Sequence, residues 1–350
     1  MKAAVLLSGG VDSSVALALA REQGWELSAF YIKIWLEDEL AYLGHCPWEE
    51  DLGFARAVCE KLGVPLEVVS LQQDYLEKVV DQTLAELRGG LTPSPDILCN
   101  QRIKFGVFLE RIAPGFDKIV SGHYARVAHP TGGLSILKRA ADSIKDQTYF
   151  LSFLAQTQVA RCLFPVGDLL KREVRALAQA HGLATAQRKD SQGLCFLGRI
   201  KYREFVKFHL GERAGPIVER KTGHVLGQHR GPWFYTIGQR KGLDLSGGPW
   251  FVIAKNLEEN TVFVGHERDL AMGSRDEFNA ASLHWIAGPP TAHALEVKLR
   301  HSPELAPCRI EEAGPGQLRV LLDRADPGIA PGQVAVFYEG ENCLGGGVIE

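Results

Sequence analysis

Two groups of residues in this chain have the type and setting to do chemistry. The first is the run Ser8, Gly9, Gly10, Val11, Asp12, Ser13, Ser14, entered from the apolar residues Ala3 to Leu7 and followed by the helix-forming stretch Val15 to Glu22. An apolar strand that passes into a helix through a Gly-Gly turn gathers free backbone N–H groups and the positive end of the helix dipole at one place. That is a setting for an anion, above all a phosphate. The same residues also make an ordinary turn with a Ser or Asp N-cap, and the run alone does not decide between the two. It is no Walker A loop, because no Gly-Lys-Ser/Thr follows, and it carries no G-x-G-x-x-G fingerprint. The second group is cysteine. Cys99 stands in LTPSPDILCNQRIKF, after Pro93 and Pro95 and before Arg102 and Lys104. Cys195 stands in RKDSQGLCFLG, after Arg188 and Lys189 and before Arg199. Nearby cations favour the thiolate, the reactive form, while the alternative for either residue is a small buried hydrophobe. Cys59, Cys162, Cys308 and Cys343 read as packing residues. Cys46, beside His45, has no second pair at metal-ligand spacing.

These residues need elements to hold them. Ala3–Leu7, Leu27–Trp35, Pro65–Leu71 and Lys118–Ser121 read as strands, and Asp51–Leu62, Asp74–Leu87 and Arg102–Ile112 as the helices between them. Phe54, Val58 and Leu62 recur at steps of four and predict one buried stripe. The alternation predicts a doubly wound α/β domain, with its ligand beyond the carboxyl ends of the strands, where the Ser8–Ser14 turn lies. After YREFVKFHLGE the chain turns β-rich. PWFVIAKNLEENTVFVG reads as a hairpin, and ALEVKLR, CRIEEA, QLRVLLD and QVAVFYE are spaced like strands of a small barrel. The expected division is an α/β domain over 1–203, a small β-rich domain over 204–269 and a C-terminal β-barrel over 270–350.

Length and composition agree with this. A chain of 350 residues, 45% hydrophobic, can bury the cores of two or three domains. Seven cysteines without a Cys-x-x-Cys pair argue against a disulfide scaffold and a zinc ribbon. No window reaches the length of a membrane span, so a cytoplasmic protein with no membrane partner is expected. The net charge of −3 does not announce a nucleic-acid binder, though basic clusters such as CNQRIKF and GRIKYREFVKFH permit a polyanion partner.

The Ser8–Ser13 run resembles the SGGxDS loop of the PP-loop ATP pyrophosphatases, and further blocks narrow the resemblance. TPSPDILCNQRIKF, SGHYARV, KDQTYFLSFL, LFPVG, KDSQGLCFLG, YTIGQRKGL and PGQVAVFYEGENCLGGGVIE stand in the order found in the bacterial tRNA-specific 2-thiouridylase family, so the resemblance spans nearly the whole chain. It implies an ATP-dependent tRNA sulfurtransferase acting at C2 of the wobble uridine of lysine, glutamate and glutamine tRNAs. The uridine oxygen would attack the α-phosphate of ATP, giving an adenylated base and pyrophosphate, with Mg2+ on the phosphates. By position, ATP maps to Leu6, Leu7, Ser8, Gly9, Gly10, Val11, Asp12 and Ser13, with Ile32 and Gly122 at the adenine and ribose. Cys195 maps to the persulfide carrier. Cys99 maps to the thiol that releases the sulfur or closes a transient Cys99–Cys195 disulfide, presented on a mobile segment. Asp96 maps to an acid/base near the target base, beside Ser94 and Pro95. His123, Lys145, Asp146, Gln147, Arg300, His301 and Gln333 map to tRNA contacts. The sulfur donor implied is a cysteine desulfurase or a relay protein.

The chain departs from the family pattern in three places. Ser94 replaces an asparagine, Leu6 replaces a glycine ahead of the phosphate turn, and His301 stands in RHS where RYR is usual. Other PP-loop enzymes, such as tRNA lysidine synthetases and amidotransferase-coupled synthetases, share the ATP loop without needing the two cysteines. A thiol redox sensor or tRNA-binding module would keep the cysteines without needing the loop. A sulfurtransferase acting at another RNA site would need both.

Overall fold

The strands β1 (Lys2–Leu6), β2 (Glu26–Lys33), β3 (Leu66–Ser70) and β4 (Lys118–Val120) are followed by a hairpin, β5 (Ala125–Ala128) and β6 (Ile136–Arg139), and by the short β7 (Cys162–Leu163). The computed structural model describes residues 1–34, 48–190, 202–272 and 274–350. β3, β2, β1, β4 and β7 form, in that order, a wholly parallel sheet. Alternate residues of β1 and its extension serve opposite faces, as strand geometry requires. Ala3, Val5 and Leu7 pack with the helices Val11–Glu22, Trp48–Leu62 and Lys171–Ala180. Ala4 and Leu6 pack with the helical runs Gln72–Arg88 and Pro95–Arg111 on the other side. Each fully buried Leu, Val or Phe contributes about 1.5–3 kcal/mol, so the doubly wound arrangement follows from β1 being apolar at every position after Lys2. The order reverses between β1 and β4, which opens a crevice beyond their carboxyl ends.

The Trp48–Leu62 helix buries Leu52, Ala55, Val58, Cys59 and Leu62. The stripe expected from Phe54, Val58 and Leu62 is therefore shifted. Phe54 is only half-buried and lies under the Arg188 guanidinium, 4.6 Å from ring centroid to Cζ.

The central sheet runs β10 (Phe251–Asn256), β11 (Thr261–Gly265), β8 (Gly215–Glu219), β9 (Val225–His229), around Ile217, Tyr235, Trp250, Val252, Val262 and Val264. The last six strands are β12 (Arg275–Trp285), β13 (Ala294–Lys298), β14 (Ala306–Gly314), β15 (Gln317–Asp326), β16 (Val334–Glu339) and β17 (Asn342–Ile349). They pair in the order β12, β15, β14, β13, β16, β17, and β17 returns to β12, closing an antiparallel barrel. β17 serves two neighbours in turn: Asn342 and Cys343 pair with β6, and Gly345 to Ile349 pair with β12. Gly345 makes the transfer at φ 137°, at a point where a Cβ would strike the His284 carbonyl. The α/β domain is thereby joined to the barrel by a continuous sheet. Among the described residues no helix is long and apolar enough to cross a membrane.

Candidate active site

The turn after β1 enters the crevice. Val11 begins the helix with Gly10 as N-cap, and no side chain caps it. The first N–H groups of a helix have no intrahelical acceptor, so they are presented to the crevice. The hydroxyls of the turn bond inward: Ser13 Oγ accepts the Ser8 N–H (3.2 Å) and donates to the Gly10 carbonyl (3.1 Å), and Ser14 Oγ donates to the same carbonyl (2.8 Å). Gly9 has φ 75°, and a Cβ there would run into the Asp51 backbone. Gly122, just past β4, lies so close to Ser13 and Asp12 that a Cβ would overlap the Ser13 amide. The two glycines bring three chain segments to one point. Leu6 and Leu7 are buried beneath the turn, and the Leu7 N–H donates to the Phe30 carbonyl (2.9 Å). Leu6 is the last residue of β1, with its side chain in the core, so a residue larger than the usual glycine is accommodated there. Ile32 lies near the carboxyl end of β2, paired with Val69.

Around this turn stands a charge network that composition does not reveal. Lys171 bonds both oxygens of Asp12 (2.7 and 2.9 Å), and the Tyr124 hydroxyl donates to the first of them (2.9 Å). Lys171 also pairs with Asp190 (2.9 Å), which takes Arg175 (2.6 Å) and Lys145 (2.9 Å). Burial disfavours the Asp190 charge, but the hydrogen bonds and charges of Lys145 and Lys171 outweigh it and hold its pKa down at about 2. Arg188 donates to the Gly9 carbonyl (2.6 Å) and to Asp51. The sequence leading toward Cys195 is therefore tied to the phosphate turn as far as Asp190. Cys195 itself lies outside the described residues, as do Cys46 and His45.

A second group lies where the α/β domain meets the barrel. The Thr92 N–H donates to the Pro331 carbonyl (2.8 Å), and Gly332, at φ 89°, leaves no room for a Cβ beside Leu91 and Thr92. The Tyr149 hydroxyl donates to the Val334 carbonyl (3.0 Å), and Ser94 lies beside that phenol. The serine that replaces the family's asparagine is thus engaged with Tyr149. Pro95 opens a helical run at a position where its missing N–H costs nothing. Asp96, in the first turn, has its pKa raised by burial against the pull of Lys104 and His301. Cys99 is 2% exposed, within the apolar cluster that holds Ile103, Phe105 and Tyr149. The mechanism implied by the resemblance asks for a mobile segment at Cys99; the structure places Cys99 in a helix. Arg102 turns away from it to the Lys78 carbonyl (2.8 Å) and Gln82 (2.5 Å).

The residues mapped to tRNA fall into two classes. His301 lies against Phe150 with the rings tilted (centroids 4.6 Å apart), and Arg300 is engaged in a two-point pair with Asp326 (3.0 and 2.9 Å). Gln333 Oε1 is buried with no hydrogen-bond partner among the described residues. His123 bonds Ser121 Oγ (2.8 Å), and burial, then the nearby Lys104 charge, pushes its pKa down to about 3, so the ring is neutral. Gln147 Oε1 accepts the Tyr124 N–H (2.9 Å). Asp146 turns inward. Its side chain is fully buried against Lys298 (2.7 Å), so it offers no carboxylate to the surface.

Three family models tile the chain: tRNA methyl transferase HUP domain over residues 1–199, tRNA methyl transferase PRC-barrel domain over 203–266 and aminomethyltransferase beta-barrel domain over 275–349. A protein of Bacteroides thetaiotaomicron named tRNA-specific 2-thiouridylase MnmA 1 is 45% identical over 100% of this chain and 99% of its own. One of Parabacteroides distasonis, named tRNA-specific 2-thiouridylase MnmA, is 44% identical over the same shares. The chain belongs to the tRNA-specific 2-thiouridylase family. The model labels speak of methyl transfer, whereas these full-length 2-thiouridylase relatives are named for thiolation.

Against that family assignment, reading the sequence missed Lys171, Tyr124, Arg175 and Asp190, which surround Asp12. None belongs to a local motif with the turn, and Lys171 is 159 positions away from Asp12. The available signal was slight: Lys171 opens an amphipathic helix, where a cation is disfavoured by the helix dipole unless an anion faces it.

Proposed function

We propose that this chain converts a uridine of tRNA to 2-thiouridine at the expense of ATP. The observation that carries the reading is the full-length likeness to proteins named for that reaction, on a chain whose phosphate turn is intact and seated at the sheet's crossover. The helix N-terminus at Val11 receives the phosphates of ATP, with Lys171, paired to Asp12 of the turn, close by to balance their charge. Ile32 and Gly122 provide main-chain contacts to adenine and ribose. Among the described residues no group of three or more His, Cys, Asp or Glu side chains could hold a metal unaided. Mg2+ would therefore be held chiefly by the phosphates and would stabilise charge on departing pyrophosphate.

The target base enters between Ser94–Asp96 and the barrel residues His301 and Gln333. Its C2 oxygen attacks the α-phosphate, and pyrophosphate leaves. The terminal sulfur of a Cys195 persulfide attacks C2, AMP leaves with the oxygen, and the Cys99 thiolate takes Cys195 Sγ to form a disulfide that a cellular thiol reduces. Asp96, with its raised pKa, holds a proton near neutral pH more readily than an exposed carboxylate, which suits an acid/base at this base. The donors are a cysteine desulfurase or a relay protein, and the acceptors are lysine, glutamate and glutamine tRNAs.

The test is nucleoside mass spectrometry of tRNA incubated with the protein, ATP, magnesium and a persulfide source. 2-Thiouridine is expected at the wobble position with the wild type and absent with Cys99→Ser and Cys195→Ser. Adenylated but never thiolated tRNA would retain the ATP site and remove the roles given to the cysteines.

A further inference from the structure

Consecutive residues between Asp142 and Thr148 reach different parts of the molecule. Lys145 pairs with Asp190, which shares Lys171 with Asp12 of the phosphate turn. Gln147 accepts the Tyr124 N–H, and the Tyr124 hydroxyl donates to Asp12. Between them, Asp146 faces the barrel. Its carboxylate takes Lys298 of β13 at 2.7 Å with both side chains at 0% exposure, along with Thr148 Oγ1 (2.9 Å) and the Ala140 N–H (3.2 Å). Arg139 Nε is 3.6 Å away. The Asp146 carbonyl accepts His301 Nε2 (3.1 Å), and Thr148 Oγ1 meets the Tyr338 hydroxyl of β16 (3.1 Å).

A buried ion pair is a poor source of net stability, because desolvating both charges offsets their attraction, and apolar side chains of similar volume commonly do as well. What such a pair does enforce is geometry: each partner tolerates one placement of the other. We propose that Asp146 and Lys298 are positioning residues that couple the phosphate turn to the barrel, so that ATP bound at the turn strengthens tRNA binding at the barrel, and the reverse. The inference rests on the ATP and tRNA sites proposed above. The coupling runs from Asp12 through Lys171, Asp190 and Lys145 to Asp146, and from there to Lys298 and His301. By linkage the two ligands must affect each other equally.

The experiment measures tRNA affinity with and without a non-hydrolysable ATP analogue, for the wild type, Lys298→Met and the double variant Asp146→Leu/Lys298→Met. The wild type is expected to bind tRNA at least about fivefold more tightly with the analogue, the low end of typical coupling. Lys298→Met leaves the buried Asp146 carboxylate with Arg139, 3.6 Å away, as its remaining cation, and tests stability. The double variant removes both charges of this pair and is expected to fold and to show a coupling ratio near one, the ratio of tRNA affinities with and without the analogue being read whatever the affinity for tRNA alone. A double variant with wild-type coupling overturns the proposal. Hydrogen exchange on the wild type gives a reading that needs no variant: the analogue is expected to slow exchange in Ala294–Lys298, and unchanged exchange there also overturns it. If tRNA is thiolated yet the wild type shows no coupling, this inference fails alone. If neither ligand binds, the functional reading fails with it.

Discussion

Asp190 shows how much one side chain can hold in place. Its carboxylate receives three cations from Lys145, Lys171 and Arg175, and its pKa is held at about 2. An unfolded aspartate titrates near about 3.9. The folded state therefore binds protons less readily, so the Asp190 contribution to stability is complete above about pH 4 and is lost as pH falls toward 2. Thermal melts from pH 5 to 2 are expected to show a shallower decline for Asp190→Asn than for wild type. Parallel curves would mean that the three cations find other partners. The chemical identities of the turn were legible because Gly9, Gly10 and the serines act through the backbone near them. Asp190 and Lys171 were not, because their meaning depends on partners brought together only by the sheet crossover.

The helical run Pro95–Arg111 carries both Asp96 and Cys99, and its backbone is not regular. Over Cys99–Val107 the hydrogen bonds lengthen to i→i+5, and the Phe108 N–H reaches the Ile103 carbonyl. A wide turn leaves carbonyls without their usual donors, and such turns gather at functional sites. Gln158 compensates. Its Nε2 donates to the carbonyls of Gln101 (2.9 Å) and Phe105 (2.7 Å), while Oε1 accepts the Ala155 N–H (2.7 Å). Gly106 fits because a Cβ there would press on the Gln101 carbonyl at 2.8 Å. Gln158→Leu strands these groups, and a buried unsatisfied polar group costs about 1–3 kcal/mol. The melting temperature is expected to fall by several degrees, with a further loss of activity if the wide turn sets the direction of Cys99. A loss of stability with kcat unchanged would confine Gln158 to a structural role. The sequence predicted a helix over Arg102–Ile112, part of this run. It could not show the wide turn, since that depends on a glutamine more than fifty positions away.

At the scale of the whole chain, the catalytic half and the barrel share one interior. Val334, Val336, Tyr338 and Cys343 of the barrel belong to the same apolar cluster as Cys99, Phe105 and Phe108. β6 extends the sheet from β17, and Lys298 pairs at 2.7 Å with the charge buried at Asp146, which Arg139 approaches at 3.6 Å. The strand pattern in the sequence predicted the C-terminal barrel but not its packing partner, because alternation reports that a face is buried without reporting what buries it. Removing the barrel would uncover one side of the helices that carry Asp96 and Cys99 and would take from Asp146 its closer cation, Lys298. A chain ending after residue 269 is therefore expected to lose its cooperative heat transition in calorimetry, although its parallel sheet is complete in sequence. A sharp two-state melt from that shortened chain would mean that the α/β half closes its own core without the barrel.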